Sequence, residues 1–255
     1  MIRRGAVLIA CATCCAPVCA FAGAWPTPAG QTQAIVKYEE ASATSGFDTS
    51  GVTRPIGKQS DQSLSVFVEH GLTDRLTLQL KAGVTEGSDP FVHYSGRGPA
   101  EIGLRYAVYN GPVGVLSVYA GAVAGGVGRN AGYAPPHTGE GDLELRVLAG
   151  RNASLWGRPL FGEVQVARLF RRGLPDETHL DVTLGWAPAA HWLVLAQSYA
   201  GRADSHPVAP EWVKAEASVV RHLGPWSVQL GWRETAWGHE APLEKGPVIG
   251  LWRRF

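Results

Sequence analysis

Residues 76–82 read Leu-Thr-Leu-Gln-Leu-Lys-Ala: every even position is apolar, and every odd position, from Thr77 to Lys81, is polar. Successive side chains of a β-strand point to opposite faces, so this segment has one apolar face and one polar face. The same alternation occurs at 101–106, 143–147, 179–186, 213–217 and 226–233. Apolar residues at helical spacing are not sustained anywhere after residue 22. The sequence therefore predicts an all-β protein.

The alternating segments and their weaker neighbours predict a transmembrane antiparallel β-barrel of about twelve strands. We place the strands near 31–40, 61–70, 75–85, 99–109, 113–124, 141–151, 159–170, 177–187, 191–202, 210–221, 226–237 and 246–255. Each is about ten residues long, which is the length that a tilted strand needs to cross a bilayer. Two stretches, 113–124 and 192–200, are apolar on both faces and show the alternation least clearly.

Short and long connections alternate along the chain, as they do when all turns lie at the periplasmic end of a barrel and all loops lie outside. Tight turns are predicted at 72–74, 110–112, 188–190 and 223–225, and longer polar links at 41–60, 86–98, 125–140, 171–176, 203–209 and 238–245. The link 152–158 is longer than a periplasmic turn should be. This pattern favours a membrane barrel over a secreted β-sandwich whose apolar faces point inward.

The N-terminus predicts export. Two arginines precede a short apolar run, and Ala20-Phe21-Ala22 has the small-x-small pattern of a signal-peptidase site. We therefore predict a signal peptide at 1–22. A lipoprotein signal ending at Cys11 is an alternative with a shorter apolar core. Residues 23–30 would then be a short periplasmic N-terminal segment, and 31–255 the barrel.

All four cysteines lie within the predicted signal peptide, so the exported chain would have no thiol for a disulfide, a metal site or a nucleophile. The formal net charge of +1 does not indicate a nucleic-acid partner. No apolar stretch after residue 22 is long enough for a membrane helix. A membrane location therefore requires a closed barrel, because unpaired sheet edges are not tolerated in lipid.

The last strand ends on Phe255, with Ile249 and Leu251 on the same face. A terminal aromatic residue after an alternating strand resembles the signal that the barrel-assembly machinery recognises in outer-membrane proteins. Arg253 departs from that pattern, because an apolar or aromatic residue is usual there. Four aromatic residues near predicted strand ends suit a girdle among outer-membrane lipids and lipopolysaccharide: Trp186, Trp226, Trp232 and Tyr106.

If the apolar faces meet lipid, the polar faces line the lumen, because charges facing hydrocarbon would be very costly. On this phase the predicted lumen-lining residues are Lys37, Glu39, Glu69, Lys81, Glu101, Arg105, Glu144, Arg146, Glu163, His179, Asp181, Lys214, Glu216 and Arg233. Both signs of charge occur close together, so these residues either line an open or gated pore or pair across a filled barrel. The polar faces show no run of aromatic residues of the kind that guides sugars.

The candidates for a lipase-like or deacylase-like site are two histidine–serine pairs, His93/Ser95 and Ser205/His206. Nucleophilic catalysis also needs a third group that orients the base, and the sequence offers neither pair a convincing one. The spacing of His179 and Asp181 from Glu163 is weak evidence for a metal site. We therefore predict no catalytic residue, no metal and no cofactor.

The predicted exported chain starts Gly23-Ala24-Trp25-Pro26, continues with Pro28-x-Gly30-Gln31 and Ile35-x-x-Tyr38, and reads EHGLTDRLTL at 69–78. These motifs resemble the first third of uncharacterised proteobacterial outer-membrane barrels, namely Xag-type proteins of exopolysaccharide clusters and meta-pathway phenol-degradation barrels. The resemblance implies a transport role, slightly favours a secreted polysaccharide as cargo, and implies no catalytic residues.

The sequence thus predicts an outer-membrane channel or transport protein that passes a polar solute, for example an exopolysaccharide. The first alternative is a non-conducting structural or assembly-partner barrel with a charge-filled lumen. The second alternative is an envelope-lipid hydrolase.

Overall fold

A computed structural model describes residues 23–134 and 140–255. The strands are β1 Thr32–Phe47, β2 Thr53–Gly71, β3 Leu76–Ser88, β4 His93–Arg97, β5 Ala100–Gly111, β6 Gly114–Ala124, β7 Asp142–Leu155, β8 Arg158–Arg171, β9 Glu177–Ala189, β10 Trp192–Ala203, β11 Glu211–Leu223, β12 Trp226–His239, β13 Ala241–Pro242 and β14 Lys245–Arg254. No helix in the described residues is long and apolar enough to cross a membrane. The predicted signal peptide at 1–22, and 135–139 of the predicted link 125–140, lie outside the described residues.

The barrel closes between its first and last long strands. β1 pairs with β14 on one side and with β2 on the other, so Ile35 lies opposite both Trp252 and Phe67. The remaining long strands pair with their neighbours in the chain, while short β4 extends the edge of β3 and short β13 pairs with the end of β1. The result is a closed barrel of twelve long antiparallel strands, which confirms the predicted fold class.

The outer face of the barrel is apolar. On β3, Leu80 is 39% exposed whereas Gln79 is 3% exposed, and on β5, Leu104 is 46% exposed whereas Arg105 is 1% exposed. The alternation in the sequence therefore places aliphatic side chains outside and polar side chains inside. This is the arrangement of strands that face lipid with one side and a polar lumen with the other.

The first hairpin is longer than predicted. The sequence predicts a link over 41–60, but β1 and β2 leave only 48–52 as a turn. The predicted link 86–98 is also mostly strand, because β3 continues to Ser88 and β4 pairs with it. Water solvates both faces of a hairpin that projects beyond the bilayer, so its strands need no hydrophobic alternation. Alternation of apolar and polar residues therefore does not reveal these strands.

The connection that looked too long for a periplasmic turn is in fact tight. β7 reaches Leu155 and β8 starts at Arg158, so the predicted link 152–158 is wrong. Trp156 and Gly157 alone form the turn, with φ angles of 52° and 70°. Two successive residues in the left-handed region are typical of the two-residue type I′ turn, whose twist matches that of antiparallel strands. The alternation of short turns with longer loops therefore holds around the whole barrel.

The arginine that departs from the usual C-terminal pattern packs on aromatic rings. The guanidinium of Arg253 lies 4.7 Å from the ring centre of Trp226 and 4.6 Å from that of Phe255. Arg221 lies 4.8 Å from the ring centre of Trp192 in the same way. A cation over an aromatic face is attracted by the negative centre of the ring. Arg253 can therefore occupy an aromatic belt without interrupting it.

Candidate functional site

The candidate site is the lumen of the barrel. Residues 23–29, here called the lumenal segment, fill the end of the lumen at which the short turns lie. Ala24 is fully buried and Thr27 is 2% exposed, although both precede β1. The chain returns to the barrel wall at Gly30, whose φ of 76° lies in the left-handed region and whose N–H donates to Gly71 O at 2.8 Å. The sequence predicts a periplasmic segment here; the structure instead places it inside the barrel.

Five side chains bind the backbone of the lumenal segment: four come from strands, and the fifth, Asp74 in the turn after β2, accepts the N–H of Ala29 at 3.3 Å. The four contacts from strands are Arg105 Nη2 to Trp25 O at 2.7 Å, Ser117 Oγ to Ala24 O at 2.7 Å, Ala24 N to Glu163 Oε2 at 2.7 Å, and Thr27 N to Thr77 Oγ1 at 3.0 Å. Buried backbone groups need such partners, because the segment has no continuous strand neighbour. A neutral hydrogen bond contributes about 1 kcal/mol and one to a charged group about 1.5–3 kcal/mol. Side chains therefore hold most of the segment, and within the described residues its backbone bridges the sheet at one point, between Ala29 and Gly71.

The indole of Trp25 lies directly on the backbone of Gly150. A Cβ at that position would be 2.5 Å from Cη2 of Trp25, which is closer than non-bonded carbon atoms approach. Trp25 also meets Phe161 edge-on, with 6.1 Å between ring centres. Ala24 belongs to the adjoining buried cluster, whose other members are Ala107, Val115, Tyr119 and Leu148. Docking of the lumenal segment thus explains why 113–124 is apolar on its inner face as well.

Arg105 and Glu69 form a buried ion pair next to the lumenal segment. Arg105 Nη1 lies 2.6 Å from Glu69 Oε1, and the two side chains are 0% and 2% exposed. The same carboxylate oxygen accepts a hydrogen bond from Gln79 Nε2 at 2.6 Å. Because Arg105 also donates to Trp25 O, this group connects the segment to β2, β3 and β5.

Beyond the lumenal segment lies an internal cavity of about 480 Å³, here called the central cavity. Nine of the predicted lumen residues line it: Lys37, Glu39, Glu69, Lys81, Glu101, Arg146, Glu163, Asp181 and Arg233. Glu144 and Lys214 line a second cavity, of about 350 Å³, here called the outer cavity. Of the other three, Arg105 and Glu216 are buried, and His179 Nε2 lies 2.8 Å from Glu177.

Ion pairs connect the lumenal charges in two networks. The first joins β1, β11 and β12 through Lys37–Glu39 at 3.0 Å, Arg233–Glu39 at 2.7 Å and Arg233–Glu216 at 2.6 Å. In the second, Arg146 on β7 binds Glu101 and Glu144, at 2.5 Å each. Each network contains both signs of charge. Selectivity for one sign of ion normally needs a ring of like charges, and these networks do not form one.

The lumen also has an apolar wall, here called the apolar patch, which the sequence analysis misses. Its members in the central cavity are Ile35, Phe67, Leu148, Phe161, Leu193, Leu195 and Trp252. Leu193 and Leu195 on β10 belong to this wall, which explains why 192–200 is apolar on both faces. Aromatic residues thus converge from separate strands although no polar face carries a run of them. The sequence does indicate that these rings face inward. Phe67 and Phe161 stand two positions before the predicted lumen residues Glu69 and Glu163, and residues two apart on a strand point to the same face.

Residues 125–134 cover the opposite end of the lumen from the lumenal segment. Arg129 Nε lies 2.6 Å from Asp61 and its Nη1 lies 2.8 Å from Asp89. The hydroxyl of Tyr133 is 3.1 and 3.2 Å from two backbone carbonyl oxygens of the barrel rim. The hydrogen bond from Arg129 lowers the pKa of Asp89, and burial raises the pKa of Tyr133 to about 12. At neutral pH both groups are therefore in the form that holds the loop in place.

Solved structures with the same closed barrel provide the comparison. No protein family matches the sequence, and no curated protein matches it. The COG4313 outer membrane channel from Pseudomonas putida F1 is 15% identical, with a TM-score of 0.68 over 91% of this chain and 98% of that one. The translocator domain of the autotransporter NalP from Neisseria meningitidis is 12% identical, with a TM-score of 0.54 over 91% of each chain. The KdgM porin is 8% identical, with a TM-score of 0.53 over 87% and 99%. The chain shares their barrel fold.

The residues considered for catalysis do not form a site in the described part of the chain. His93 and Ser95 lie on β4, and the nearest ionic partner of His93 is Glu86, at 3.9 Å and largely exposed. The hydroxyl of Ser205 donates to the backbone oxygen of Val208. No cluster of histidine, cysteine and acidic residues among the described residues could hold a metal ion. Among the described residues, the lumen is therefore the candidate functional site.

Proposed function

We propose that the protein is an outer-membrane transport channel, exported by its N-terminal signal, in which the lumenal segment closes the passage. The observation that carries this proposal is the position of residues 23–29, which fill one end of the lumen and are held mainly by side chains, with a single backbone bridge between Ala29 and Gly71 among the described residues. These contacts can be released without breaking the pairing between the long strands. The structural neighbours include proteins named as an outer membrane channel and as porins, which supports a transport role.

The chemistry of the central cavity favours a small solute with polar groups and one apolar face. The charged networks offer hydrogen-bond donors and acceptors, and the apolar patch offers an aliphatic and aromatic surface on the same cavity. Ligand sites of this kind combine apolar contact with a few placed polar groups. An exopolysaccharide chain would require both the lumenal segment and loop 125–134 to leave the lumen, so the small solute is the better fit.

A specific observation favours one alternative, a barrel that does not conduct. Among the described residues, the segment, the loop and the ion-pair networks divide the lumen into cavities of about 480 and 350 Å³, which meet at Glu101. A permanently filled barrel would keep this arrangement at all times. The two functions differ in a single respect, which is whether the lumenal segment can move.

Conductance in planar bilayers separates these functions. The refolded protein without residues 1–22 is compared with a variant that also lacks 23–29, and with the pair Thr27→Cys and Thr77→Cys. The chain after residue 22 contains no cysteine, so the two introduced thiols can pair only with each other. Thr27 N lies 3.0 Å from Thr77 Oγ1, so a thiol at position 77 would lie beside residue 27, and the mass of the oxidised protein shows whether the disulfide forms.

A transport channel predicts intermittent current from the parent protein, steady and larger current from the deletion, and reductant-dependent current from the cysteine pair. Silence from the parent and from the deletion, with both proteins shown to be folded, would establish the non-conducting barrel. The bilayer measurement is repeated with a monosaccharide and with an aromatic acid. Interruption of the current by the aromatic acid alone would identify the apolar patch as the solute contact.

A further inference from the structure

The carboxylate of Glu163 faces the very start of the lumenal segment. Its Oε2 accepts the N–H of Ala24 at 2.7 Å. A Cβ built on Gly23 would lie 3.2 Å from Oε1, so the second oxygen lies beside the Cα of Gly23. Glu163 is only 8% exposed and comes from β8. Both of its oxygens therefore point at the two residues that follow the predicted cleavage site.

Glu163 has no cationic partner among the described residues. Arg105, the neighbouring guanidinium, is already bound to Glu69 and to Trp25 O. A buried carboxylate without a counter-charge is costly, because the lumen replaces water with few compensating groups. The arrangement therefore lacks one positive charge next to Gly23.

The predicted processing of the chain would supply that charge at the right place. Cleavage after Ala22 leaves Gly23 with a free α-ammonium, and Gly23 lines the central cavity. We propose that this ammonium binds Glu163 and that the new N-terminus is thereby the anchor of the closed lumen. The inference rests on the proposed closure by the lumenal segment and on cleavage at this bond. Closure of the lumen would then depend on removal of the signal peptide. A chain that extends before Gly23 has no ammonium at this residue and no room for the extra residues beside Glu163.

Labelling of the α-amine tests the contact directly. The mass of the intact protein, purified from membranes, is first measured by mass spectrometry, and it should correspond to a chain that starts at Gly23. The protein is then treated at neutral pH with an amine-reactive ester, in the oxidised Thr27→Cys/Thr77→Cys background that retains the segment. We expect the amine of the folded protein to react at least tenfold more slowly than that of the unfolded protein. Glu163→Gln, which still offers an oxygen to Ala24 N–H, should restore most of the reactivity.

Asp181→Asn is the matched control, because Asp181 is a lumenal acid of the same cavity whose hydrogen bond comes from Gln165 and not from the segment. Its labelling rate should equal that of the parent. Equal labelling of the parent and Glu163→Gln, or a mass that shows a different N-terminus, would overturn the inference. The nearby charges of Glu69 and Arg105 are unchanged in both variants.

A one-residue extension provides the functional test. An alanine inserted between Ala22 and Gly23 displaces the ammonium by up to about 3.5 Å, beyond reach of Glu163. We expect the extension and Glu163→Gln each to raise the frequency of open events at least fivefold, with no further increase when they are combined. If deletion of 23–29 leaves the current unchanged, the proposed function fails. If that deletion opens the channel but the extension and Glu163→Gln do not, only the role of Glu163 fails.

Discussion

Replacement of Arg105 by methionine should weaken the barrel wall and the closure of the lumen at the same time. Methionine keeps an unbranched chain but removes the guanidinium, which leaves the Glu69 carboxylate with its hydrogen bond from Gln79. The side chains of Arg105 and Glu69 are 0% and 2% exposed, so water does not screen the loss. Removing one partner of a buried ion pair typically costs about 3–5 kcal/mol, and we expect a loss in that range.

The second effect comes from the bond between Arg105 Nη2 and Trp25 O, at 2.7 Å. A hydrogen bond from a charged donor contributes about 1.5–3 kcal/mol. Because about 1.4 kcal/mol is a factor of ten in an equilibrium constant, the ratio of docked to undocked segment should fall at least about tenfold. Open events should become correspondingly more frequent.

Two assays separate the effects. Urea unfolding in lipid vesicles measures the free energy of unfolding, and planar-bilayer recording measures the open frequency. The double variant Arg105→Met/Glu69→Gln removes both charges, so it should regain much of the lost stability while keeping the raised open frequency. A loss below about 1 kcal/mol in the single variant, or a double variant less stable than either single one, would refute the assignment of a buried pair.

Substitution of Gly150 by alanine should evict Trp25, because the new Cβ would lie 2.5 Å from its ring, and should raise the open frequency in bilayers; Gly128→Ala, where a Cβ meets nothing, should not. Arg129→Gln should release loop 125–134, observed as faster protease cleavage within the loop while the strands stay intact. Acid should act on the same contact: the pKa of Asp89 is lowered in the folded state, so its contribution is complete above the unfolded pKa and is lost as the pH falls through the folded pKa. Loop cleavage should therefore increase at low pH in the parent and be less pH-dependent in Arg129→Gln. Arg253→Gln should lower the free energy of unfolding in vesicles by about 1 kcal/mol, because the cation–π contacts are lost; no change would show that the rings hold their places alone.

The sequence predicts the barrel well because lipid imposes a pattern on it. Wherever one face meets hydrocarbon and the other meets the lumen, as in 76–82, alternation identifies the strand and its phase. Where water wets both faces, as in the outer part of the first hairpin, the same rule has nothing to detect.

The lumenal segment could not be predicted for a different reason. Residues 23–29 have no periodicity, and their position depends on features spread over distant strands. Gly150 is small enough to receive Trp25, and Gly71 allows the backbone of Pro28 to approach. In the sequence, nothing marks these glycines as contacts of the lumenal segment, because they meet it only when the barrel is closed. The charges of the lumen could be listed from their phase, but their pairing needed the register between strands.

The seam between β1 and β14 has a consequence for how the barrel forms. Phe255 exchanges backbone hydrogen bonds with Thr32, at 2.9 and 3.3 Å, so the start of β1 and the residue after β14 meet at the rim. Contacts between residues so far apart in the sequence form late in folding, because the chain loses conformational entropy before the contact contributes favourable free energy. Until that moment the sheet has two open edges, each able to pair with any other strand. A chaperone that covers one of these edges would therefore act at the slow, aggregation-prone step of folding, which is the closure of the barrel.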